Sequence, residues 1–267
     1  MMWNSNSVLL ERENRDWLEG LPEVPRSVYG NFSRPSEVTA DDIRPENQGQ
    51  IGSCQGNAIT SCVERLLNVG KRFKGTELSR IYAYLASQQI DGLLGSDRGS
   101  TISAGIEVAL KGIPTEASRP YPSPAVYPGR TSRSQILAPL SEEDSQYKAV
   151  TSWKVPLDLG QIFDFIGGGG AISIGIKWYT GIVPKDRIVK SYRPPRNSGG
   201  HALAVLGYTN DGMTVILNSH GDGVFYVRPD AMLSMLKDSW TAAVGVLGTT
   251  EPEPVNWIDE SPLFLDL

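Results

Sequence analysis

The stretch Gln48-Gly-Gln-Ile-Gly-Ser-Cys54-Gln-Gly-Asn-Ala-Ile59 decides how the rest of this sequence is interpreted. An amphipathic helix pattern begins at Cys54 and continues to Val69, where Gly70 closes it. The start of a helix supplies unpaired backbone N–H groups and the positive end of the helix dipole. Both stabilise a thiolate relative to a thiol. Since Gln48 can also direct its side-chain amide towards the sulfur, the stretch predicts a reactive cysteine at a helix N-terminus.

Two later segments contain the residue types that act together with a cysteine in hydrolysis. Gly199-Gly200-His201 opens an apolar run, and Leu217-Asn218-Ser-His-Gly221 follows shortly after it. A histidine can take the proton of the thiol, and an asparagine can hold the imidazole ring in the orientation that this requires. Cysteine, histidine and asparagine in this order, with an upstream glutamine, indicate a thiol hydrolase.

The turn between these two segments brings the histidine and the asparagine together. Thr209-Asn-Asp-Gly212 is a strong β-hairpin signal. If its two central residues form the loop, Leu203 faces Asn218 and His201 is its diagonal neighbour on the same face, roughly 7–8 Å away at the Cα atoms. A loop shifted by one residue would place His201 directly opposite Asn218. Either register therefore predicts that these two side chains are neighbours.

Composition predicts an ordinary globular protein without a nucleic-acid partner or a membrane partner. The 267 residues are 40% hydrophobic and 21% charged, and no apolar run has the length of a membrane span. Residues 249–267 carry five acidic side chains and no basic one, which accounts for the formal net charge of −5. Without that segment, 25 acidic side chains balance 25 basic ones, and no basic block stands out.

The periodicity of apolar residues changes near residue 145, and this change predicts an α+β fold with a helical lobe followed by a β lobe. We expect an N-terminal arm at 1–36, one domain at 37–248 with lobes at about 48–140 and 145–248, and an acidic tail at 249–267. The helical patterns cover 54–69, 77–89, 102–110, 159–166 and 229–236, and a loop is expected at 119–139. The strand patterns cover 150–155, 171–178, 201–208, 213–217, 224–227 and 242–247.

These residues and their order resemble the papain-like cysteine peptidases, in particular the compact bacterial-type or phage-type members with a Gln-Gly-Gln-x-Gly-Ser-Cys loop. Cys54 and His201 are 147 residues apart, within the roughly 130–150 residues typical of this family. The resemblance covers about residues 37–248. It implies a two-lobed papain-like fold with an active-site cleft between the helical lobe and an antiparallel β lobe.

The resemblance also implies a role for each candidate residue. Cys54 would be the nucleophile, His201 its base and later general acid, and Asn218 the group that orients the imidazole. Gln48 and the Cys54 backbone N–H would form the oxyanion hole. The sulfur and the imidazole would rest as a thiolate–imidazolium pair.

By the same resemblance, three small residues are assigned to substrate binding. Gly99 and Ser100 would form the backbone edge that holds an extended peptide. Gly200, which precedes the histidine, would line the cleft beside them. The partner that this predicts is a peptide or protein substrate.

Three positions depart from the family pattern. Gln55 stands where many relatives carry Trp after the nucleophile, and His220 replaces the Trp whose indole shields the His–Asn bond from water. We expect both changes to lower catalytic efficiency without changing the fold. Because water would then compete for the imidazole, Asn218→Ala should lower kcat only about tenfold. Ile51 replaces a cysteine that forms a disulfide in secreted relatives, which fits an intracellular protein.

The two cysteines predict neither a disulfide nor a metal site. Cys54 and Cys62 lie about 12 Å apart along one helix, too far for an S–S bond, and Cys62 falls on the apolar stripe of that helix. Two histidines and two helix-bound cysteines do not form a credible zinc ligand set, so we expect no metal and no cofactor. The first residues lack the pattern of a signal peptide, so we expect a cytoplasmic protein, or a virion component if a phage encodes it.

Two classes of function are consistent with the sequence. The first is a peptidase that cleaves peptide bonds through an acyl-enzyme intermediate. The second is a papain-fold structural or binding subunit of an assembly such as a phage virion, with weak or vestigial activity. The intact set of Gln48, Cys54, His201 and Asn218 favours the first class. The missing Trp, the expected lack of a pro-region and the two extensions favour the second class, in which the arm or the tail would dock a protein partner. A transglutaminase-like or cell-wall amidase domain is a weaker third option, because those folds lack the six-residue Gln–Cys spacing.

Overall fold

The computed structural model describes residues 21–22, 34–71, 73–155, 158–237 and 243–247. Four helices come first along the described chain, and a sheet with two further helices follows them, which confirms the predicted α+β class. The helices are α1 (Cys54–Val69), α2 (Arg80–Ile90), α3 (Ile102–Lys111), α4 (Arg130–Ile136), α5 (Leu159–Gly167) and α6 (Pro229–Lys237). The strands are β1 (Thr151–Lys154), β2 (Ala171–Trp178), β3 (Ile188–Val189), β4 (Gly199–Tyr208), β5 (Thr214–Asn218), β6 (Gly223–Val227) and β7 (Ala243–Leu247).

Helix α1 is the central element of the helical lobe, and it begins and ends where its sequence pattern predicts. Its apolar stripe, which includes Cys62, is fully buried against the other helices and the sheet. Gly56 allows α2 to approach closely, because a Cβ atom there would lie 2.7 Å from the carbonyl oxygen of Arg80. Burial of this stripe fixes the rotation of α1 about its axis, and that rotation determines where the side chain of its first residue points.

The sheet has the strand order β1-β7-β2-β4-β5-β6-β3, and its pairs are antiparallel except for β3 with β6. Strands β2 and β4 are buried on both faces. On β4, Ala202 and Ala204 face the core shared with α1, whereas Leu203 and Val205 face the core beneath α5 and α6. The small alanines let the helix lie close to the strand, and so the two lobes meet along β4.

The β4–β5 hairpin has the predicted register at the site but not the predicted loop. Ala204 pairs with Leu217, as a two-residue loop requires, yet Tyr208 pairs with Thr214 nearer the turn. The loop is therefore longer than the predicted two residues. A bulge between Val205 and Gly207 offsets the difference, so that the pairing nearer the site has the predicted register. The bulge lies beside a preceding segment of the chain that pairs with β4 at Tyr208. A Cβ atom at Gly207 would overlap the backbone of that segment, which explains the glycine.

Other boundaries differ from the predicted ones for local reasons. Helix α2 begins at Arg80 rather than at residue 77, because the Ser79 hydroxyl caps it by accepting a hydrogen bond from the Tyr82 N–H. Helix α4 lies inside the stretch predicted as a loop, and the two-residue strand β3 is too short to leave a pattern. The remaining helices and strands agree with the predicted segments to within about two residues.

The predicted arm at 1–36 is described only at residues 21–22 and 34–36, and the acidic tail at 249–267 lies wholly outside the described residues. The domain boundaries therefore remain predictions. Within the described ranges, no helix has the length and apolar character needed to cross a bilayer.

Candidate active site

Cys54 is the first residue of α1, and its sulfur lies where the helix N-terminus meets strand β4. The thiol is 1% exposed and receives backbone N–H contacts from Ala202 of β4 and from Gln55. Burial raises the pKa of the Cys54 thiol to about 11, whereas those N–H groups act in the opposite direction. Cys62 is also a buried free thiol, and burial raises its pKa further. Cys54 thus contacts the strand that carries the histidine.

The structure brings His201 and Asn218 together across the β4–β5 hairpin. His201 Nε2 lies 2.9 Å from Asn218 Oδ1, and both side chains are buried. Because the amide oxygen can only accept, the hydrogen in this contact must be on Nε2 of the His201 ring. The other ring nitrogen, Nδ1, is buried and has no hydrogen-bond partner in the described part of the chain. A neutral His201 therefore keeps its lone pair on Nδ1.

A short antiparallel backbone pairing joins the Gln48 loop to the residues that follow β5. The Gln48 N–H donates to the Ser219 carbonyl at 2.8 Å, and the Gly221 N–H donates to the Glu46 carbonyl at 2.9 Å. The Ser219 hydroxyl donates to Gln48 Oε1 at 2.6 Å, and Gln48 Nε2 donates one hydrogen to the Ile51 carbonyl at 2.8 Å. These two bonds establish which atom of the Gln48 side-chain amide is the oxygen and which is the nitrogen. They also join the two lobes at the candidate site.

Tyr121 fastens the same loop to the start of α1. Its hydroxyl donates to the Gln48 carbonyl at 2.9 Å and lies 2.6 Å from the Ser53 hydroxyl. The Arg80 guanidinium covers the Tyr121 ring at 4.5 Å from its centroid and pairs with Glu46 at 2.7 Å. No local sequence pattern identifies Tyr121, because its contacts join segments that are more than 60 residues apart.

Ile51 and Gly52 show how the loop before Cys54 is held without a disulfide. Ile51 is buried in an apolar cluster that includes Tyr84 of α2. The Gly52 N–H donates to both carboxylate oxygens of Asp97, at 2.9 and 3.1 Å, and the Tyr84 hydroxyl donates to the same carboxylate at 2.6 Å. The loop before Cys54 is thus anchored by apolar packing and by a carboxylate. Asp97 carries no local signal in the sequence that could have identified it.

The predicted substrate-binding residues lie at the two sides of this site. The Gly99 N–H donates to the Tyr84 hydroxyl, and its carbonyl accepts from Gln88 Nε2, so both of its backbone groups have partners within the helical lobe. The Ser100 hydroxyl donates to Gln55 Oε1 at 2.9 Å. Gly200 pairs with a residue of β2, next to His201. Their assignment to substrate binding stays a prediction.

Gln55 is the first of the departures from the family pattern, and it is a buried residue. In addition to its bond from Ser100, its amide fills the space above Gly105 of α3, where a Cβ atom would lie 1.4 Å from Gln55 Nε2. Gly105 therefore makes room for the glutamine. The change from Trp to Gln is accommodated by a glycine on a neighbouring helix.

The expectation that the His201–Asn218 bond is open to water is wrong. The His220 ring stacks on the His201 ring with centroids 4.4 Å apart and planes at 10°. The Trp178 indole lies 4.7 Å from His201 and 5.6 Å from His220. Trp178 reaches this position because Ile176 is opposite His201, which makes Trp178 its diagonal neighbour on the same face. An indole from β2 and a second imidazole therefore cover the bond.

Burial also shifts the pKa values of the titratable groups at this site. Burial lowers the pKa of His201 to about 3, with a contribution from His220, while the hydrogen bond that His201 donates to Asn218 acts in the opposite direction. Burial lowers the pKa of His220 to about 4, against the raising effect of Asp222. Together with the raised pKa of Cys54, these shifts favour a neutral thiol and a neutral imidazole. This differs from the thiolate–imidazolium pair that the family resemblance implies.

Metal binding finds no support in the geometry of the described residues. Among them, no three His, Cys, Asp or Glu side chains are grouped so that they could hold a metal ion.

Comparisons with known proteins agree with this architecture. No protein-family model and no curated protein sequence matches the chain. Among solved structures, the chain is similar to xylellain, a cysteine protease from Xylella fastidiosa, with a TM-score of 0.73, 21% identity and coverage of 94% of this chain and 98% of the other. It is also similar to the Amb a 11 cysteine protease of ragweed pollen in its proform, with a TM-score of 0.64, 17% identity and coverage of 92% and 75%.

A third similar structure is a cysteine protease from Carica candamarcensis in complex with E-64. Its TM-score is 0.58 and its identity 20%, and the match covers 81% of this chain and all of the other. The predicted fold class is confirmed by these structures: this chain has the two-lobed fold of the papain-like cysteine proteases.

Proposed function

We propose that this protein is a papain-like cysteine peptidase that hydrolyses peptide bonds through an acyl-enzyme on Cys54. One observation carries the proposal: the His201–Asn218 hydrogen bond leaves Nδ1 as the basic nitrogen, on the strand that contacts the Cys54 sulfur. A cysteine at a helix N-terminus and a histidine with a defined tautomer are the two parts that nucleophilic thiol chemistry requires.

The first half-reaction follows from these positions. His201 Nδ1 takes the proton of the Cys54 thiol, and the thiolate attacks the carbonyl carbon of the scissile peptide bond. The Cys54 backbone N–H and the second hydrogen of Gln48 Nε2 donate to the developing oxyanion, since the first hydrogen is bound to Ile51. The C–N bond then breaks. His201 returns its proton to the leaving amine, which leaves a thioester on Cys54.

Hydrolysis of the thioester completes the cycle. Water attacks the acyl carbon while His201 Nδ1 takes one of its protons. The C–S bond breaks, the carboxylic acid product leaves, and the proton passes to the sulfur to regenerate the thiol. Asn218 stays bound to Nε2 through both half-reactions, so the ring keeps Nδ1 directed to the reacting atoms.

Access to the sulfur is a requirement of this mechanism. Cys54 and His201 are each 1% exposed, so a substrate can reach them only after the groups that cover them have moved. Opening also admits water, which removes the desolvation that opposes the charged pair. We therefore propose that the neutral pair of the closed site ionises as the site opens.

The test compares the two cysteines in one chain. Iodoacetamide and E-64, the ligand in the Carica candamarcensis complex, are each incubated with the full-length protein, and the adduct is located by mass spectrometry. In parallel, hydrolysis of denatured casein is measured for the wild type, Cys54→Ser and Cys62→Ser. We expect adducts on Cys54, loss of hydrolysis by about a thousandfold or more in Cys54→Ser, and hydrolysis in Cys62→Ser that differs little from the wild type.

Equal labelling of both cysteines, or labelling of Cys62 alone, would contradict the proposed nucleophile. A wild type that neither cleaves casein nor labels at Cys54 would reject the peptidase. The second class from the sequence, a structural or binding subunit, would then take its place.

A further inference from the structure

Four hydrogen bonds surround the carboxamide of Asn218 and use all of its donors and acceptors. Oδ1 accepts from His201 Nε2 at 2.9 Å and from the Ser219 backbone N–H at 3.0 Å. Nδ2 donates to His220 Nδ1 at 3.0 Å and to Asp222 Oδ1 at 2.9 Å. A carboxamide has two donor hydrogens and two acceptor lone pairs. Each of the four therefore has one partner in this site.

The four partners permit only one orientation of the amide. If the amide were rotated by 180°, its NH₂ group would face the N–H groups of His201 and Ser219. Its oxygen would face the Asp222 carboxylate, which cannot donate. The two imidazoles can change tautomer to suit the rotated amide, but the Ser219 N–H and the Asp222 carboxylate cannot, so one donor–donor contact and one acceptor–acceptor contact would remain. Unpaired buried polar groups cost about 1–3 kcal/mol each, so this orientation is strongly disfavoured.

We propose that His220 and Asp222 are positioning residues: they bind the two Nδ2 hydrogens of Asn218 and so hold its oxygen towards His201 and select the His201 tautomer with a basic Nδ1. This inference rests on the proposed function, because the tautomer matters only if His201 acts as the base. The polar clamp formed by His220 and Asp222 includes position 220, where the family pattern has a Trp. In this chain, hydrogen bonds thus orient Asn218, while the Trp178 indole covers it.

The stacking of His220 on His201 has to be separated from its hydrogen bond. His220→Phe keeps a flat ring against His201 but removes the acceptor nitrogen. Asp222→Ala removes the second acceptor and leaves the stacked rings in place. Asp222→Asn keeps an acceptor oxygen without the negative charge, so it serves as the conservative rescue. Asp186→Ala is the control, because Asp186 is an exposed carboxylate that pairs with Lys190.

The test reads the tautomer directly by nuclear magnetic resonance of the imidazole nitrogens in the full-length protein at pH 7.5. The chain contains two histidines, and His220→Phe leaves His201 alone, which makes its signals unambiguous. We expect the wild type, Asp186→Ala and Asp222→Asn to show His201 predominantly as the Nε2–H form. In Asp222→Ala and His220→Phe we expect mixed tautomers and exchange of the Nε2 proton with water about tenfold faster. Circular dichroism of each variant checks that it is folded.

An unchanged tautomer in both Asp222→Ala and His220→Phe would overturn the inference. A loss of the Nε2–H tautomer in Asp222→Asn as large as that in Asp222→Ala would also overturn it. The hydrogen bond from Asn218 to residue 222 would then not be what selects the tautomer. This readout needs no substrate. A wild type without peptidase activity would therefore reject the proposed function, while the spectra would still decide whether His220 and Asp222 position Asn218.

Kinetics give a second readout if the wild type is active. We expect Asp222→Ala and His220→Phe to lower kcat about tenfold with little change in KM, because the orientation of the base matters mainly in the transition state. In an Asn218→Ala background, the same two changes should have almost no further effect. If their effects multiplied with that of Asn218→Ala, His220 and Asp222 would act by another route, and the inference would fail.

Discussion

The two sides of the candidate site are built in different ways. The residues that define the helical wall, 48–54, are contiguous in the chain, although distant residues such as Asp97 and Tyr121 also bind them. The sheet wall, His201 with residues 218–222, draws its contacts from separate strands, including the Trp178 indole of β2. The helical wall can therefore be identified from a short sequence motif. The sheet wall can be identified only in part, because its packing depends on strand register.

The departures from the family pattern follow the same division. In and beside the helical wall, Ile51 and Gln55 change the residue type, and distant residues compensate for them: Asp97 anchors the loop, and Gly105 leaves room for the glutamine. In the sheet wall, the compensation comes from the neighbouring strand and from Asp222 in the same loop. Both walls reach a closed, hydrogen-bonded arrangement by means that no single motif encodes.

The largest effect is expected at Gln48 of the helical wall. Gln48→Ala removes the proposed oxyanion donor and also the partner of the Ser219 hydroxyl. We expect kcat on a peptide substrate to fall about a hundredfold, because the donor acts on charge that develops in the transition state. Gln135→Ala, which alters an exposed glutamine of α4, is the matched control. A loss no greater than that of Asn218→Ala would show that Gln48 serves only to join the walls.

Asn218→Ala tests the sheet wall. Because the His201–Asn218 bond is buried beneath Trp178 and His220, we now expect kcat to fall about 30-fold, equivalent to about 2 kcal/mol, rather than the tenfold expected from the sequence. KM should change little. Initial rates measured over a range of substrate concentrations separate kcat from KM. A loss of tenfold or less would indicate that water reaches the imidazole despite the covering rings.

Asp97→Ala should weaken the anchor of the helical wall. The change removes an acceptor that binds the Gly52 N–H and the Tyr84 hydroxyl. We expect the free energy of unfolding, measured by urea denaturation, to fall by about 2 kcal/mol, because hydrogen bonds to a charged group are among the stronger ones. The exposed control Asp186→Ala should change it by less than about 0.5 kcal/mol. Equal effects of the two changes on the free energy of unfolding would show that Asp97 does not anchor this loop.

The smallest effects concern pH, to which the two lobes should respond in opposite senses. In α1, burial raises the pKa of Glu64 to about 8, above about 4.3 in an unfolded chain. The folded state binds this proton more tightly than the unfolded chain does. The stabilising contribution of Glu64 to the folded state is therefore present below pH 4.3 and is lost as the pH rises through 8. For His220 the folded pKa of about 4 is below the unfolded value of about 6.5. Its contribution is present above pH 6.5 and is lost as the pH falls towards 4.

Two variants separate these responses in urea denaturation measured between pH 4.5 and 9. Glu64→Gln should raise the free energy of unfolding at pH 9 by about 1 kcal/mol or more and change it little at pH 5, since its oxygen can still accept from the Leu78 N–H. His220→Phe should reduce the loss of stability on the acid side. A uniform shift at all pH values in either variant would contradict the assigned titration.

Some elements of this structure depend on local physics and can be predicted from neighbouring residues alone. The start of α1 at Cys54, its end at Val69 and the limits of β2 follow from apolar periodicity and from the residues that bound each segment. The pairing of His201 with Asn218 could also be predicted, because every register compatible with the turn signal brings the two residues together. These features required only the rise per residue, the side-chain period and the chemistry of the residue types.

The surroundings of those residues depend on contacts between distant parts of the folded chain. The bulge near Gly207 depends on the pairing of β4 with a preceding segment of the chain, and the positions of Trp178 and Asp97 depend on which strands and loops become neighbours. The closure of the site, and with it the charge state of Cys54 and His201, depends on how much water is excluded. Contacts between distant segments are determined by packing and solvent exclusion over the whole domain, and a local pattern of residues carries no record of them.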